Sequence, residues 1–137
     1  MHGSAKRSEA APAGATILLA EDQAEVRRFA SEVLHPNGYN VLEAENGEQA
    51  LEVARSFDGM IDLLVSDVIM PNMRGTELAV CMQSLLAGLP VILVSGYNPE
   101  GPTGSPGAVY LNKPFSPEQL IEAVAKALVG REKKESL

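Results

Sequence analysis

The sequence predicts an α/β fold, doubly wound around a parallel sheet of five strands in the order 2-1-3-4-5. Three observations carry that expectation. Five short aliphatic runs recur along the chain, helical periods lie between them, and four of the runs stop at a polar residue suited to phosphate or metal. Ile17-Leu18-Leu19-Ala20 stops at Glu21-Asp22, and Leu63-Leu64-Val65-Ser66 stops at Asp67. Val91-Ile92-Leu93-Val94 stops at Ser95, and Val109-Tyr110-Leu111-Asn112 stops at Lys113-Pro114. Near-continuous aliphatic runs mark strands covered on both faces. Alternation with helices implies right-handed crossovers and a doubly wound sheet.

The strands are expected near 16–20, 40–44, 62–67, 90–95 and 107–111. After the first, Val26, Phe29, Ala30, Val33 and Leu34 follow the i, i+3, i+4, i+7, i+8 spacing of an amphipathic helix. Asp22 is a candidate N-cap for it, with Glu25 completing a capping box. His35 falls in its last turn, where a histidine suits the macrodipole, and no catalysis is assigned to it. The second helix opens at Asn46 with Gln49 three residues on, and Ala50, Leu51, Ala54 and Phe57 share one side.

The third helix starts near Thr76 and carries Leu78, Met82, Leu85 and Leu86; Cys81 reads as filler of the core there. The segment Gly96 to Ala108 holds three Pro and four Gly in thirteen residues. An interior Pro costs about 3 kcal/mol and Gly about 1, so the fourth helix is expected to be short or irregular. The last helix begins at Ser116-Pro117-Glu118-Gln119, a capping box with Pro at N1, and continues through Leu120, Ile121, Val124 and Leu128.

One domain, residues 16–130, accounts for these units in a chain of 137 residues. Residues 1–15 are small and polar, Ala/Pro/Gly-rich from Ala10, and read as a disordered tail, tag or linker. Residues 131–137 read as a frayed, charged tail. Apolar residues make up 45 %, with three Tyr, three Phe and no Trp, so the core is aliphatic. Net charge is −7, from 18 acidic and 11 basic residues, which argues against a nucleic-acid partner. A single cysteine allows no internal disulfide. No run approaches the ~18 apolar residues of a membrane span, and the first residues lack a signal-peptide core. The expected setting is cytoplasmic, away from the membrane.

In an open α/β sheet, ligands bind beyond the carboxyl ends of the strands, where strand order reverses. In a 2-1-3-4-5 sheet that point lies between strands 1 and 3, where Glu21-Asp22 and Asp67 end their runs. A carboxylate attacking phosphorus needs in-line positioning and cations that absorb charge on the transferring oxygens. Asp67 is the candidate nucleophile. Asp22 and Asp67, with Glu21 directly or through water, suit a magnesium ion. Lys113 can place an ammonium on the phosphoryl oxygens, and Ser95 can donate a hydrogen bond to them. Asp62, ~16 Å from Asp67 along the strand, belongs to the opposite edge. Ser66 points to the other face of the sheet.

Taken together, Leu18-Leu19-Ala20-Glu21-Asp22, Asp67-Val68-Ile69-Met70-Pro71-Asn72-Met73-Arg74-Gly75, Val94-Ser95-Gly96-Tyr97 and Lys113-Pro114-Phe115 resemble the response-regulator receiver domain of two-component signalling. The likeness covers about residues 16–130 and implies the CheY-like, flavodoxin-like (βα)5 fold. It implies that Asp67 accepts phosphoryl from the phosphohistidine of a histidine kinase or phosphotransfer domain. It implies Mg2+ held by Glu21, Asp22, Asp67 and the Ile69 backbone carbonyl. It also implies a switch formed by Ser95 and Tyr110, a pairing role for Lys113, and a cis bond before Pro114. The Ser95-Gly96-Tyr97 and Ser116-Pro117 wording most resembles receivers appended to hybrid sensor kinases. The Gly/Pro-rich fourth connection departs from the ordinary receiver. No effector segment follows the fifth unit, so output is expected through a partner protein or another domain.

Two rival readings remain open at this stage. An aspartate-nucleophile phosphohydrolase uses Asp-x-Asp, whose second Asp is a general acid; Ile69 stands there and transfers no proton. A pseudo-receiver would bind partners without taking phosphate, but such chains have typically lost the Asp or the Lys, and both are present.

Overall fold

Strands β1 (Thr16–Ala20), β3 (Leu63–Asp67) and β4 (Val91–Ser95) are buried along their whole length, as their unbroken aliphatic runs require. Edge strands β2 (Asn40–Ala44) and β5 (Val109–Asn112) are partly open, and their sequences carry more polar residues. These elements belong to a computed structural model that describes residues 14–96 and 108–136. All neighbouring strands pair in parallel, in the order β2-β1-β3-β4-β5. Helices α1 (Ala24–Leu34), α2 (Gly47–Ser56), α3 (Gly75–Leu85) and α4 (Pro117–Ser136) alternate with them, and a 3-10 turn, His35–Asn37, follows α1.

Side-chain alternation divides the interior into two cores. Ile17, Leu19, Leu63, Val65, Ile92 and Val94 face Leu34 of α1 and Leu120, Val124 and Leu128 of α4. Leu18, Ala20, Leu64 and Leu93 face Ala50 and Leu51 of α2 and Leu78 and Met82 of α3. Each fully buried Leu or Ile contributes about 1.5–3 kcal/mol over its exposed state, so the sheet is fixed from both sides. That rigidity is what holds the strand ends in place.

The doubly wound sheet and its order stand as the sequence predicts: β1 and β2 have the expected bounds, β3, β4 and β5 start one, one and two residues later, and β5 ends one residue later. The Asn46 cap also stands: its Oδ1 accepts the Gln49 amide at 2.7 Å, while Gln49 Oε1 accepts the amide of Glu45 rather than of Asn46, at 2.7 Å. Asn46→Ala is therefore expected to cost about 1 kcal/mol in urea unfolding, with the fold retained. Ser116 and Gln119 form the reciprocal box, with amide-to-side-chain bonds of 3.1 and 2.9 Å.

Several expectations need correction. Gln23, not Asp22, is the N-cap of α1, and no side chain caps that end; Asp22 lies one residue too early and has a carboxylate oxygen within 4.8 Å of those of Glu21 and Asp67. Phe29 is 39 % exposed and Leu85 47 % exposed, so the apolar stripes of α1 and α3 are narrower than the periodicity implies. Cys81 is exposed and fills no core position. On α3 the inward stripe is Gly75, Leu78, Ala79 and Met82, and Cys81 lies off it. His35 is the C-cap of α1, its amide donating to the Ser31 carbonyl, and it also opens the 3-10 turn. Helix α4 runs to Ser136, beyond the frayed end expected from residue 131. The expected irregular fourth helix lies outside the described residues, as do Tyr97 and most of the N-terminal tail. Among the described residues, no helix is long and apolar enough to cross a membrane.

Candidate functional site

Parallel pairing brings the carboxyl ends of β1, β3, β4 and β5 to one edge of the sheet. In register, Ala20 lies beside Ser66, Asp67 beside Val94, and Ser95 beside Asn112. The next residue after β1 is Glu21, and after β5 it is Lys113. Side chains from distant parts of the chain therefore meet there. Lys113 Nζ lies 3.0 Å from Asp67 Oδ2 and 3.2 Å from Glu21 Oε1. Carboxylate oxygens of Glu21, Asp22 and Asp67 lie within 4.8 Å of one another. Glu21 and Asp67 are buried, whereas Asp22 is open to solvent.

The backbone around this cluster is tightly held. Glu21 N–H donates to the Ala44 carbonyl at 3.0 Å, and Glu21 Oε2 accepts the Gln23 amide at 3.1 Å. After Asp67 the chain turns back on itself. Gly75 N–H donates to the Val68 carbonyl at 2.8 Å, and Asn72 takes a left-handed conformation with φ 71°, which Asn tolerates better than most residues. Gly75 lies so close to β3 that a Cβ would overlap the Asp67 carbonyl oxygen. This turn carries the Ile69 carbonyl, while the Ile69 side chain is 62 % exposed.

Ser95 is buried at the end of β4, and its carbonyl accepts the Lys113 amide at 2.9 Å. Strand alternation puts Tyr110 on the same side of the sheet as Ser95, half-buried against the core of α2 and α3. The Lys113–Pro114 peptide bond is cis. Asp62 lies at the far edge, where its Oδ2 accepts the Thr16 amide at 2.8 Å. Ser66 is fully buried and its hydroxyl donates to the Asp67 carbonyl at 2.9 Å.

Electrostatics follow from burial. Desolvation pushes the Glu21 carboxyl above its ordinary 4.5, assisted by the neighbouring Asp67 and opposed by the Gln23 amide and Lys113. Burial alone would lower Lys113, but its hydrogen bond to Asp67 and the charges of Asp67 and Glu21 hold it above 10.5. One ammonium thus faces three clustered carboxylates, leaving two formal negative charges unmatched when all are ionised. An all-oxygen set with that deficit fits a hard divalent cation, and a compact one that keeps several waters needs only one or two direct carboxylates.

Two features escaped the sequence. Arg27 of α1 donates from Nη1 to the Glu21 carbonyl at 2.7 Å and lies 3.4 Å, from Nε, to Glu43 Oε1. An apolar recess of about 460 Å³, lined by Glu25, Val26, Phe29, Lys113, Pro114 and Phe115, shares Lys113 with the acidic cluster. Its two phenyl rings stand 5.8 Å apart. The sequence held no signal for the recess, because the spacing put Phe29 on the inward stripe of α1 and its exposure is visible only in the structure. For Arg27, only strand register could have revealed Glu43.

Comparison with known proteins agrees with this geometry. Residues 17–125 match the response regulator receiver domain family. Sensor kinase CckA of Brucella abortus (strain 2308) is 37 % identical over 118 residues, which span 83 % of this chain but 12 % of that protein. Response regulator receiver protein CpdR of the same organism is 34 % identical over 119 residues, 83 % of this chain and 97 % of its own length. Among solved structures, the receiver domain of hybrid histidine kinase CckA superposes with a TM-score of 0.73 at 41 % identity, covering 82 % of this chain and 98 % of its own. Chemotaxis response regulator CheY4 of Vibrio cholerae gives 0.75 at 34 % identity, over 84 % and 99 %. With its five-stranded order, its strand-end acidic cluster and these relatives, the chain belongs to the response regulator receiver domain family of two-component systems.

Proposed function

We propose that the chain is a phosphoacceptor module in which Asp67 takes a phosphoryl group from the phosphohistidine of a histidine kinase or phosphotransfer domain. The observation that carries this reading is the Lys113 ammonium 3.0 Å from Asp67, inside a cluster of three carboxylates at the sheet's switch point. An Asp67 carboxylate oxygen forms the new P–O bond as the P–N bond to the donor imidazole breaks. The imidazole leaves with the bonding pair and takes up a proton. Lys113 already sits against the attacking carboxylate and balances charge on the oxygens in transfer. Mg2+ held by Glu21, Asp22, Asp67 and the Ile69 carbonyl would supply further charge neutralisation there.

Ser95 donates a hydrogen bond to the new phosphoryl oxygens, and Tyr110, on the same side, follows it inward. The outcome is a population shift of the surface around β4 and β5. The apolar recess sharing Lys113 is the natural seat for side chains of the donor while its imidazole reaches Asp67. The functional unit is residues 16–130, acting in the cytoplasm on a protein partner rather than on nucleic acid. Its catalysis is limited to its own phosphorylation and dephosphorylation, because exposed Ile69 offers no proton for turnover of phosphate esters.

The test uses a small phosphodonor with Mg2+ and intact-mass measurement. The chain is expected to gain one phosphoryl group and Asp67→Asn none. Unmodified wild-type chain, or an equally modified Asp67→Asn, would overturn the reading.

A further inference from the structure

We infer that Arg27 is a positioning residue for the divalent cation, acting through the peptide that joins Glu21 to Asp22. The inference rests on the reading of these carboxylates as the cation's ligands. Arg27 lies in the first turn of α1, and its long side chain folds back toward the helix start. There Nη1 donates to the Glu21 carbonyl at 2.7 Å, while Nε lies 3.4 Å from Glu43 Oε1 on β2. Glu43 is set by register opposite Leu19, two residues before Glu21. The guanidinium therefore ties the loop after β1 to a neighbouring strand.

The tied group matters. The Glu21 carbonyl belongs to the Glu21–Asp22 peptide, so fixing it fixes the direction in which Asp22 leaves the backbone. On the other side, the Glu21 amide is already held by the Ala44 carbonyl at 3.0 Å. With both faces of this residue bonded, the two acidic side chains enter the cluster from one defined peptide plane. Asp22 is exposed, and its burial gives it little support of its own. A planar fork with two donors in fixed relation does this; a lysine ammonium cannot reach both acceptors in the same way.

The sign of the expected effect separates positioning from charge. Removing a cation near an acidic site should by itself tighten binding of a divalent cation. Loss of positioning should weaken it. The experiment measures Mg2+ dissociation constants by calorimetric titration of the intact chain, together with unfolding midpoints without metal. Arg27→Ala and Arg27→Gln are expected to weaken Mg2+ binding about tenfold, the scale for losing a partner that orients metal ligands. Arg27→Lys, which keeps the charge, should recover only part of that loss. Arg28→Ala, the same charge removed from the exposed neighbouring position, should leave affinity unchanged or slightly tighter.

Equal or tighter Mg2+ binding by Arg27→Ala and Arg27→Gln, beside a wild type that binds, would overturn the assignment while leaving the phosphoacceptor reading intact. Full recovery by Arg27→Lys would do the same. A lowered unfolding midpoint with unchanged affinity would show a merely structural role. If Arg27→Ala does not fold, Arg27→Gln and Arg27→Lys decide. A wild-type chain that takes no Mg2+ sinks the cation reading and this inference together.

Discussion

Gly75→Ala is expected to destabilise the chain by about 3 kcal/mol and to reduce phosphoryl uptake at Asp67 sharply, although no reacting atom is touched. The added Cβ would overlap the Asp67 carbonyl oxygen and stand 3.0 Å from both the Asp67 carbonyl carbon and the Ser66 hydroxyl. These are not flexible side-chain ends. Asp67 is the last residue of β3, which pairs with β1 on one side and β4 on the other, so it cannot yield without losing ladder bonds. Relief must come from moving α3 or the Asp67 peptide. Overpacking of this kind costs about 1–3 kcal/mol, and backbone neighbours place it at the upper end. At roughly 2–8 °C per kcal/mol for domains near this size, the melting midpoint should fall by about 10 °C.

Gly130→Ala provides the contrast. Nothing lies within 4 Å of a Cβ built there, so the change should stabilise α4 by up to about 1 kcal/mol. Thermal denaturation of the two variants side by side reads the difference. A Gly75→Ala midpoint within a degree of wild type would show that α3 can shift freely, and that the turn after Asp67 is not braced as described.

The sheet was legible because three of its strands are covered on both faces, so their apolar runs are unbroken and end abruptly at the polar site residues. The site was legible for the same reason: Glu21, Asp67, Ser95 and Lys113 each interrupt or follow such a run. What the one-dimensional pattern could not resolve was orientation around a helix. Phe29, Cys81 and Leu85 all sit in apolar stretches, yet each lies off the buried stripe of its helix. Asp22 illustrates a second kind of ambiguity. Its residue type suits both a cap and a cation site, and no local spacing shows that α1 starts after Gln23 and leaves an Asp22 oxygen beside Glu21 and Asp67. Arg27 drew no reading from the sequence, because its partners are a backbone carbonyl and a residue on another strand. No local spacing encodes either contact.

Lys113→Met is expected to remove about 2–3 kcal/mol of stability from the metal-free chain at neutral pH, and the loss should depend on pH in both directions. Lys113 is the counter-charge for Glu21 and Asp67, whose side chains are 4 % and 9 % exposed, whereas its own is 20 % exposed. Stripping one partner from a buried ion pair costs about 3–5 kcal/mol, and partial exposure of the lysine trims that figure. In the wild type, Glu21 is raised above 4.5 by burial, so its favourable contribution is complete below 4.5 and is lost as pH rises through its folded value. Without Lys113 that value climbs further. Acidification therefore protonates the orphaned carboxyl and narrows the gap between variant and wild type.

On the alkaline side, Lys113 is held above 10.5 by Asp67 and Glu21 against the effect of burial. Its contribution is complete below 10.5 and disappears as pH rises through the folded value, so the gap narrows there as well. Urea unfolding across pH should trace a difference that is widest near neutrality and shrinks at both ends. Mg2+ supplies the missing positive charge, so saturating metal should restore most of the variant's stability, and its Mg2+ affinity should exceed that of the wild type. Phosphoryl uptake should nevertheless fall by about a hundredfold, the scale for removing one donor aimed at charge in transfer. A stability gap independent of pH and of Mg2+ would mean that Lys113 acts through packing of its aliphatic stem, and that Glu21 and Asp67 do not need its charge.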